Sequence, residues 1–596
     1  MWTYQILSTI MIIAPVVVLN LLIDWIAGLG GDAVTTANIK QFLLSWRFPV
    51  ILALGALLVL VYIAFELMGQ VHLTSCILSG QSSGTWRCIK AGTRSLRRFM
   101  NPGGVGTILF ILLAVPICGV GLSISLSSTF YIPHFIMETL LKNPLYAAGY
   151  IALLGFLIWT AYRSVFVLHA VILDGMTPKE GKKHSARIVM EHKWEFIKGL
   201  IKTGLVMLLI MTVSWLLFSR IPELLLGNMG EGLPKHYRAD VVNVFKEGRA
   251  LSEEQLRVCM YRIVASFSVM AEKYLMSVVM LLCGAYFMLR LNRWYLVFTG
   301  REQTLWPERP KKARYRWKVI LILLVFLLFA IVSFFSGMLF EDLFYREDAV
   351  RIVAHRTGGT LASENSLEGI EKAVEHGCYG AETDIQRTKD GCYIINHDDD
   401  FRRLTGVAKA PKDMTMDEIR QLRIKDTTGN GQELAVPTLE EMLDAVKGRI
   451  RLFVELKGKT ADHRMADDVV RIIKEHDCVE DTVLISLNYD VINYAETHYP
   501  EFETGTLFFA SLGDVSRLNC DLLIMEEETA TSSRISAIHR AQKQAVVWTV
   551  NTEQAMHHFL DSEIDAVITD RIGMAEEVQA QLDDRTDLEI LEDKFG

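Results

Sequence analysis

Two patterns of hydrophobic and polar positions divide the chain near residue 340. Before that point, long uncharged runs recur, each close to the roughly 20 residues that carry a helix across a bilayer. Seven such runs stand at 6–27, 49–68, 105–126, 145–173, 200–218, 274–297 and 319–340. The last, VILILLVFLLFAIVSFFSGMLF, contains no charge, whereas those at 145–173 and 274–297 carry Arg163 and Arg290 near their ends. Beyond Phe340 the runs shorten to four to six residues and alternate with helix-like stretches. Strands are predicted at 351–354, 381–385, 451–455, 482–485, 504–507, 521–524, 545–550 and 565–568, with helices at 366–376, 464–476, 489–497, 534–542 and 552–560. Strands alternating with helices argue for a parallel sheet, and eight units in about 250 residues fit a (β/α)8 barrel. The pattern therefore predicts a polytopic α-helical membrane domain over 1–341 and an α/β TIM barrel over 342–596. Some sixty residues separate the second and third strands, too many for one crossover, and residues 398–437 read as an insertion beside the barrel mouth.

Charge divides at the same place. The formal net charge of −8 averages a basic first part and a strongly acidic second part. Basic residues concentrate after the second run (Arg87, Lys90, Arg94, Arg97, Arg98), after the fourth (Lys179, Lys182, Lys183, Arg187) and after the sixth (Arg301, Arg309, Lys311, Lys312, Arg314, Arg316). Lys and Arg mark cytoplasmic loops. One threading satisfies all three: N-terminus cytoplasmic, everything after Phe340 outside, in a multi-pass cell-membrane protein. Residues 1–5 hold no basic stretch of the kind that opens a cleaved signal peptide. The few charges within the runs, Asp24, Glu66 and Arg163 among them, lie near run ends, so an anchor or lipid-presenting platform is favoured over a transporter.

An acidic globule repels a phosphate backbone, which argues against a nucleic-acid partner. Nine cysteines without CxxC pairs give neither a zinc nor a thioredoxin-like signal, and read as small buried thiols.

Chemistry in such barrels sits at the C-terminal strand ends. His355 and Arg356 follow the first strand, Glu382 and Asp384 end the second, Glu455 and Lys457 the third, Trp548 and Asn551 the seventh, and Asp570 follows the eighth. Glu382 and Asp384 are two apart on a strand, so both point the same way. Two carboxylates at one mouth repel unless a cation lies between them. A hard divalent ion, Mg2+ or Ca2+, suits them, with Glu364 and Glu455 placed to complete an oxygen-rich site. His355 and His397 form an acid–base pair, since imidazole titrates near neutrality. Arg356 offers phosphoryl oxygens a fork and Lys457 a point charge. His376, His463, His476, His498, His539, His557 and His558 fall on or directly beside predicted helices and read as structural.

The segments AHRTGGTLASENS, GAETDIQRTKDG, INHDDDFRRLTG, VELK, VWTVN and ITDR, in that order, resemble the glycerophosphodiester phosphodiesterase family over nearly the whole second part. The first part resembles the membrane domain attached to this enzyme in many Gram-positive bacteria. The resemblance implies a metal-dependent barrel that hydrolyses glycerophosphodiesters to glycerol 3-phosphate and an alcohol. It implies catalytic roles for His355 and His397, and metal contacts for Glu382, Asp384, Glu455 and Glu364. It further implies phosphate contacts for Arg356 and Lys457, and a place beside the glycerol for Trp548. Two positions depart from the family pattern. Thr357 stands where glycine is usual, and Ser363 and Ser366 flank Glu364 and Asn365 in place of Pro and Thr. A β-branched residue tolerates fewer backbone conformations than glycine, so a differently shaped first loop is expected.

These readings predict a membrane-tethered phosphodiesterase whose nucleophile is water or a neighbouring glycerol hydroxyl. Lysophospholipids or glycerophosphate polymers of the envelope are alternative substrates, since tethering raises local concentration near them. A non-catalytic membrane sensor is the other alternative, and the intact His, Glu and Asp set argues against it.

Overall fold

In the computed structural model, residues 2–29, 33–80, 84–99, 103–107, 137, 140–233, 237–301, 316–345, 349–426, 428 and 433–595 are described. The second part is a closed parallel barrel of eight strands: β1 (Arg351–Ala354), β2 (Gly380–Arg387), β3 (Arg451–Leu456), β4 (Thr482–Ser486), β5 (Glu503–Phe508), β6 (Leu522–Glu526), β7 (Gln544–Trp548) and β8 (Ala566–Thr569). Each strand pairs with its neighbour in sequence, and β1 closes the ring by pairing with both β8 and β2.

Side-chain alternation sorts the strand residues into two layers. Val353, Phe453, Val483, Ile485, Leu507, Leu522, Ile524, Val546, Ala566 and Ile568 fill the interior. The residues between them, such as Ala354, Leu452, Val454 and Leu484, pack outward against the surrounding helices. Helix starts are marked by side-chain caps. Ser366, Asp462, Thr531 and Thr552 each accept a backbone N–H at the head of the helix that follows. The described residues of 398–437 fold around a small core of their own, with Phe401, Leu404, Met414, Ile419, Ile424 and Val436 buried against Ile394.

In the first part, six of the seven apolar runs coincide with helices, while the run at 105–126 lies almost wholly outside the described residues. Segments Pro144–Leu173, Lys193–Leu226 and Glu253–Phe298 are long and apolar enough to cross a membrane, and shorter apolar helices lie at Ile12–Gly28, Arg47–Tyr62 and Leu323–Met338. The helix Glu253–Phe298 has 46 residues. At 1.5 Å per residue it is about 69 Å long, more than twice the hydrocarbon thickness of a bilayer. Only its second half coincides with an apolar run, so its first half exceeds the length predicted to cross.

Its first half carries one of two attachments to the barrel seen among the described residues. Arg262 is fully buried, and its guanidinium reaches Glu341 Oε1 at 2.5 Å, Asp587 Oδ2 at 2.7 Å and the Tyr237 carbonyl at 2.7 Å, lying over the Phe340 ring. Glu341 opens the linker to β1, and Asp587 begins the C-terminal helix Asp587–Phe595. Leu226, Ala265, Val269, Phe340, Ile590 and Leu591 form an apolar cluster beside these ion pairs. Truncating a buried ion-pair partner leaves the opposite charge uncompensated, at a cost of roughly 3–5 kcal/mol. The Arg262→Ala variant is therefore expected to lose hydrogen-exchange protection in Asp587–Phe595 and to melt earlier. Unchanged protection there would show that the attachment is held by the apolar cluster alone.

Candidate active site

At the barrel mouth, β2 and β3 run side by side with Asp384 opposite Glu455 and Glu382 opposite Phe453. Because Phe453 belongs to the interior layer, Glu382, Asp384 and Glu455 also point inward. Carboxylate oxygens of the three lie within 4.8 Å of one another, and all three residues are at most 5% exposed.

Such crowding has electrostatic consequences. Burial, reinforced by the charges of Asp384 and Glu455, raises the Glu382 carboxyl well above its ordinary range. Burial likewise pushes Glu455 up to about 7, against the pull of Lys457. Burial opposes the charged form of Asp384 too, but Lys457, His397 and Arg356 outweigh it and hold this carboxyl well below its usual value. Lys457 Nζ donates to Asp384 at 2.7 Å and to Glu455 at 3.1 Å. Asn365 Nδ2 donates to the second Asp384 oxygen at 2.9 Å, and the Arg356 backbone N–H to Glu382 at 2.9 Å. Glu455 Oε1 is buried with no hydrogen-bond partner among the described residues. An unpaired buried carboxylate oxygen beside two further carboxylates fits a hard divalent cation, and the donor set holds none of the thiolates or imidazoles that zinc prefers.

The two histidines are oriented in the same manner. His355 Nδ1 lies 2.7 Å from Asp570 Oδ1, and His397 Nδ1 lies 2.9 Å from Asp398 Oδ1. An ionised carboxylate only accepts, so in each ring Nδ1 carries the proton and donates it, leaving Nε2 for chemistry. His355 Nε2 faces Glu382 at 3.9 Å. Burial lowers the affinity of His397 for a second proton, although Asp398 and Asp384 partly restore it. Burial opposes the charge of Asp570, yet the hydrogen bond and charge of His355, helped by the Asn551 amide at 2.7 Å, bring this carboxyl down to about 2. Arg403 Nε donates to Asp398 at 2.7 Å, fixing the second orienting carboxylate. Gln386 Nε2 donates to the carbonyls of Asn396 and Asp398, holding the loop that bears His397.

The structure thus brings Glu382, Asp384, Glu455, Lys457, Arg356, His355 and His397 to one mouth, with Trp548 closing β7 beside Glu526 on β6. It sets Glu364 apart from the carboxylate trio. Glu364 is gripped by Arg403 through 2.5 and 2.8 Å bonds and approached by Arg356 at 3.4 Å. Sequence reasoning gave no role to Asp570, Asp398, Arg403 or Asn365. Asp570 stood among the strand-end residues and Asp398 and Arg403 in the INHDDDFRRLTG segment, but which carboxylate meets which ring depends on loop packing.

At Thr357, where the family pattern has glycine, φ is +74°, the left-handed conformation that glycine adopts without cost. The hydroxyl repays part of the strain by donating to the Ser366 carbonyl at 3.0 Å and accepting the Ser366 N–H at 3.1 Å. Gly369 makes room for it, since a Cβ there would lie 2.2 Å from Thr357 Oγ1. Ser366 in turn caps the helix Leu367–Glu375, and Ser363 Oγ donates to Asp426.

An acidic trio flanked by two aspartate-held imidazoles and two cations, in a barrel on a membrane domain, defines a membrane-tethered phosphoric diester hydrolase. The chain belongs to the glycerophosphoryl diester phosphodiesterase family. The family's own model matches residues 355–574, and that of the membrane domain of glycerophosphoryl diester phosphodiesterase matches 2–333, more than half the chain. Among curated proteins, a glycerophosphodiester phosphodiesterase of Caldanaerobacter subterraneus is 25% identical over 228 residues, 37% of this chain and 93% of its own length. One of Bacillus altitudinis is 25% identical over 248 residues, 39% of this chain and 99% of its own. A solved Oleispira antarctica phosphodiesterase, in complex with the product sn-glycerol-3-phosphate, is 24% identical with a TM-score of 0.36, covering 39% of this chain and 96% of that one.

The Thr357 geometry gives a test. Thr357→Val keeps the left-handed strain and strands the buried Ser366 N–H, so a loss of roughly 2–3 kcal/mol is expected in thermal or denaturant unfolding. Thr357→Gly relieves the strain while losing the same bonds and should cost less. A valine variant as stable as wild type would contradict this account.

Proposed function

We propose that the protein hydrolyses glycerophosphodiesters to glycerol 3-phosphate and an alcohol on the outer side of the membrane. The reaction would take place at a divalent-cation site built from Glu382, Asp384 and Glu455. The observation that carries this reading is the pair of imidazoles, each pinned through Nδ1 by an aspartate, set against three buried carboxylates with one oxygen left unpaired.

A bound Mg2+ or Ca2+ would neutralise charge on the phosphoryl oxygens and fix the diester against the trio. The chain's own groups supply the rest. Lys457 offsets the carboxylate charges from between Asp384 and Glu455, and Arg356 offers its guanidinium to the phosphoryl oxygens. One imidazole takes the proton of the attacking oxygen through Nε2, and the other gives a proton to the departing alkoxide. Asp570 and Asp398 hold the rings in the tautomer this exchange needs and stabilise whichever ring is cationic, as an orienting carboxylate does in hydrolytic triads. The nucleophile is water, or the adjacent glycerol hydroxyl, in which case a cyclic glycerophosphate forms as the alcohol leaves and water then opens it to glycerol 3-phosphate; either route uses the same two rings. Arg403 holds Asp398 and Glu364 together and so acts as a positioning residue. The outward placement is supported by the three basic loops and by the barrel-bound first half of Glu253–Phe298.

Removing a general acid or base costs about 10²–10⁴-fold in rate. His355→Ala and His397→Ala are each expected to lose that much turnover of glycerophosphocholine while keeping cation affinity. Asp570→Asn should lose turnover too, with KM little changed, because the amide favours the wrong tautomer of His355. Full turnover in either histidine variant would refute the assignment.

A further inference from the structure

The second attachment between the two parts of the chain reaches the mouth itself. The segment Val34–Thr35, just after the first membrane helix, pairs as an antiparallel strand with Ser511–Leu512, in the loop that follows β5. Thr36 Oγ1 accepts the Phe509 backbone N–H at 3.3 Å. Ala33 packs into the outer barrel core beside Phe508 and Val515, while Val34 and Leu512 join Ile26, Ala27 and Phe42 at the end of the first helix. Gly513, at φ +86°, lies against Asp24, Ala27 and Gly28. The segment is held in shape from within, since Asn38 Oδ1 accepts the Thr35 N–H at 2.9 Å and Asn38 Nδ2 donates to the Ala33 carbonyl at 3.0 Å.

Strand position places this contact functionally. Leu507 faces the barrel interior and Phe508 packs outward with Ala33, and Phe509 follows directly after the C-terminal end of β5, in the loop at the rim of the mouth. In an eight-stranded ring β5 stands opposite β1, the strand that leads to His355. We propose that the outer segment 33–36 of the membrane domain is a working part of the catalytic mouth, with Thr36 as a positioning residue that sets Phe509 in the wall receiving the organic portion of the diester. The membrane domain thereby shapes substrate binding as well as tethering the barrel. This inference rests on the hydrolytic reading above, but it concerns binding rather than proton transfer.

The test uses the full-length protein in detergent with glycerophosphocholine as the probe. Thr36→Val removes the acceptor and is expected to raise KM about three- to tenfold with kcat within twofold, while Thr36→Ser restores wild-type KM. Phe509→Ala should raise KM similarly, and Thr36→Val combined with Phe509→Ala should be no worse than Phe509→Ala alone, since contacting residues acting through one another are not additive. Additive effects, or an unchanged KM in Thr36→Val, would overturn the proposal. An activity-independent arm uses Thr35→Cys with Ser511→Cys, directly opposed across the strand pair. Oxidation should link them, as read by peptide mass spectrometry, and absence of the link would overturn the proposal even if the histidine variants behave as expected. Conversely, a formed link with fully active histidine variants would fault the hydrolytic assignment and leave the attachment standing.

Discussion

Three carboxylates forced together in a low-dielectric barrel mouth are the constraint on which the rest of the site depends. Like charges so close, with little water to screen them, cannot all remain ionised without compensation. The surrounding residues read as that compensation. Lys457 spans Asp384 and Glu455, Asn365 and the Arg356 amide each satisfy one oxygen, and one Glu455 oxygen is left over. Rigid strands β2 and β3 hold the trio, so it cannot relax apart. The unmet demand for positive charge suits the mouth to a divalent cation and underlies the proposed binding of a phosphodiester there.

In the proposed reaction the histidines solve a different problem, that of direction. A neutral imidazole transfers protons usefully only when one nitrogen is fixed and the other is presented to the substrate. Asp570 and Asp398 accomplish this from opposite sides of the chain: one at the end of β8, the other in the loop beyond β2. Asn551 and Arg403 hold those carboxylates in turn. Among the described residues the membrane domain meets the barrel at two places, Arg262 with Glu341 and Asp587, and the 33–36 segment beside Phe509. Two separated attachments restrict how the barrel can turn relative to the membrane domain in a way that one linker cannot.

Much of this was legible in the sequence because it depends on short-range periodicity. Two-residue spacing put Glu382 and Asp384 on one face, strand-end position selected His355, Glu455, Lys457 and Trp548, and long uncharged runs marked helices of the membrane domain. What escaped is set by tertiary packing. Glu364 carries the same chemistry as Glu382, but it meets Arg403 from the 398–437 insertion, a partner 39 residues away that no local pattern specifies. The roles of Asp570 and Asp398 depend on the same kind of loop placement. Thr357 is held in a left-handed turn against its intrinsic preference, by two hydrogen bonds to Ser366 and the space left by Gly369, none of which a local pattern specifies. The strand pairing of Val34–Thr35 with Ser511–Leu512 involves segments too short to register as strands, brought together from opposite ends of the chain.

The most direct test of the central claim is the cation dependence of turnover in the full-length protein. After exhaustive chelation, glycerophosphocholine hydrolysis should fall to background and return on adding Mg2+ or Ca2+, with Glu455→Gln needing a higher cation concentration for half-maximal recovery. Undiminished hydrolysis in the chelated protein would contradict the account, because three buried carboxylates would then have some other purpose.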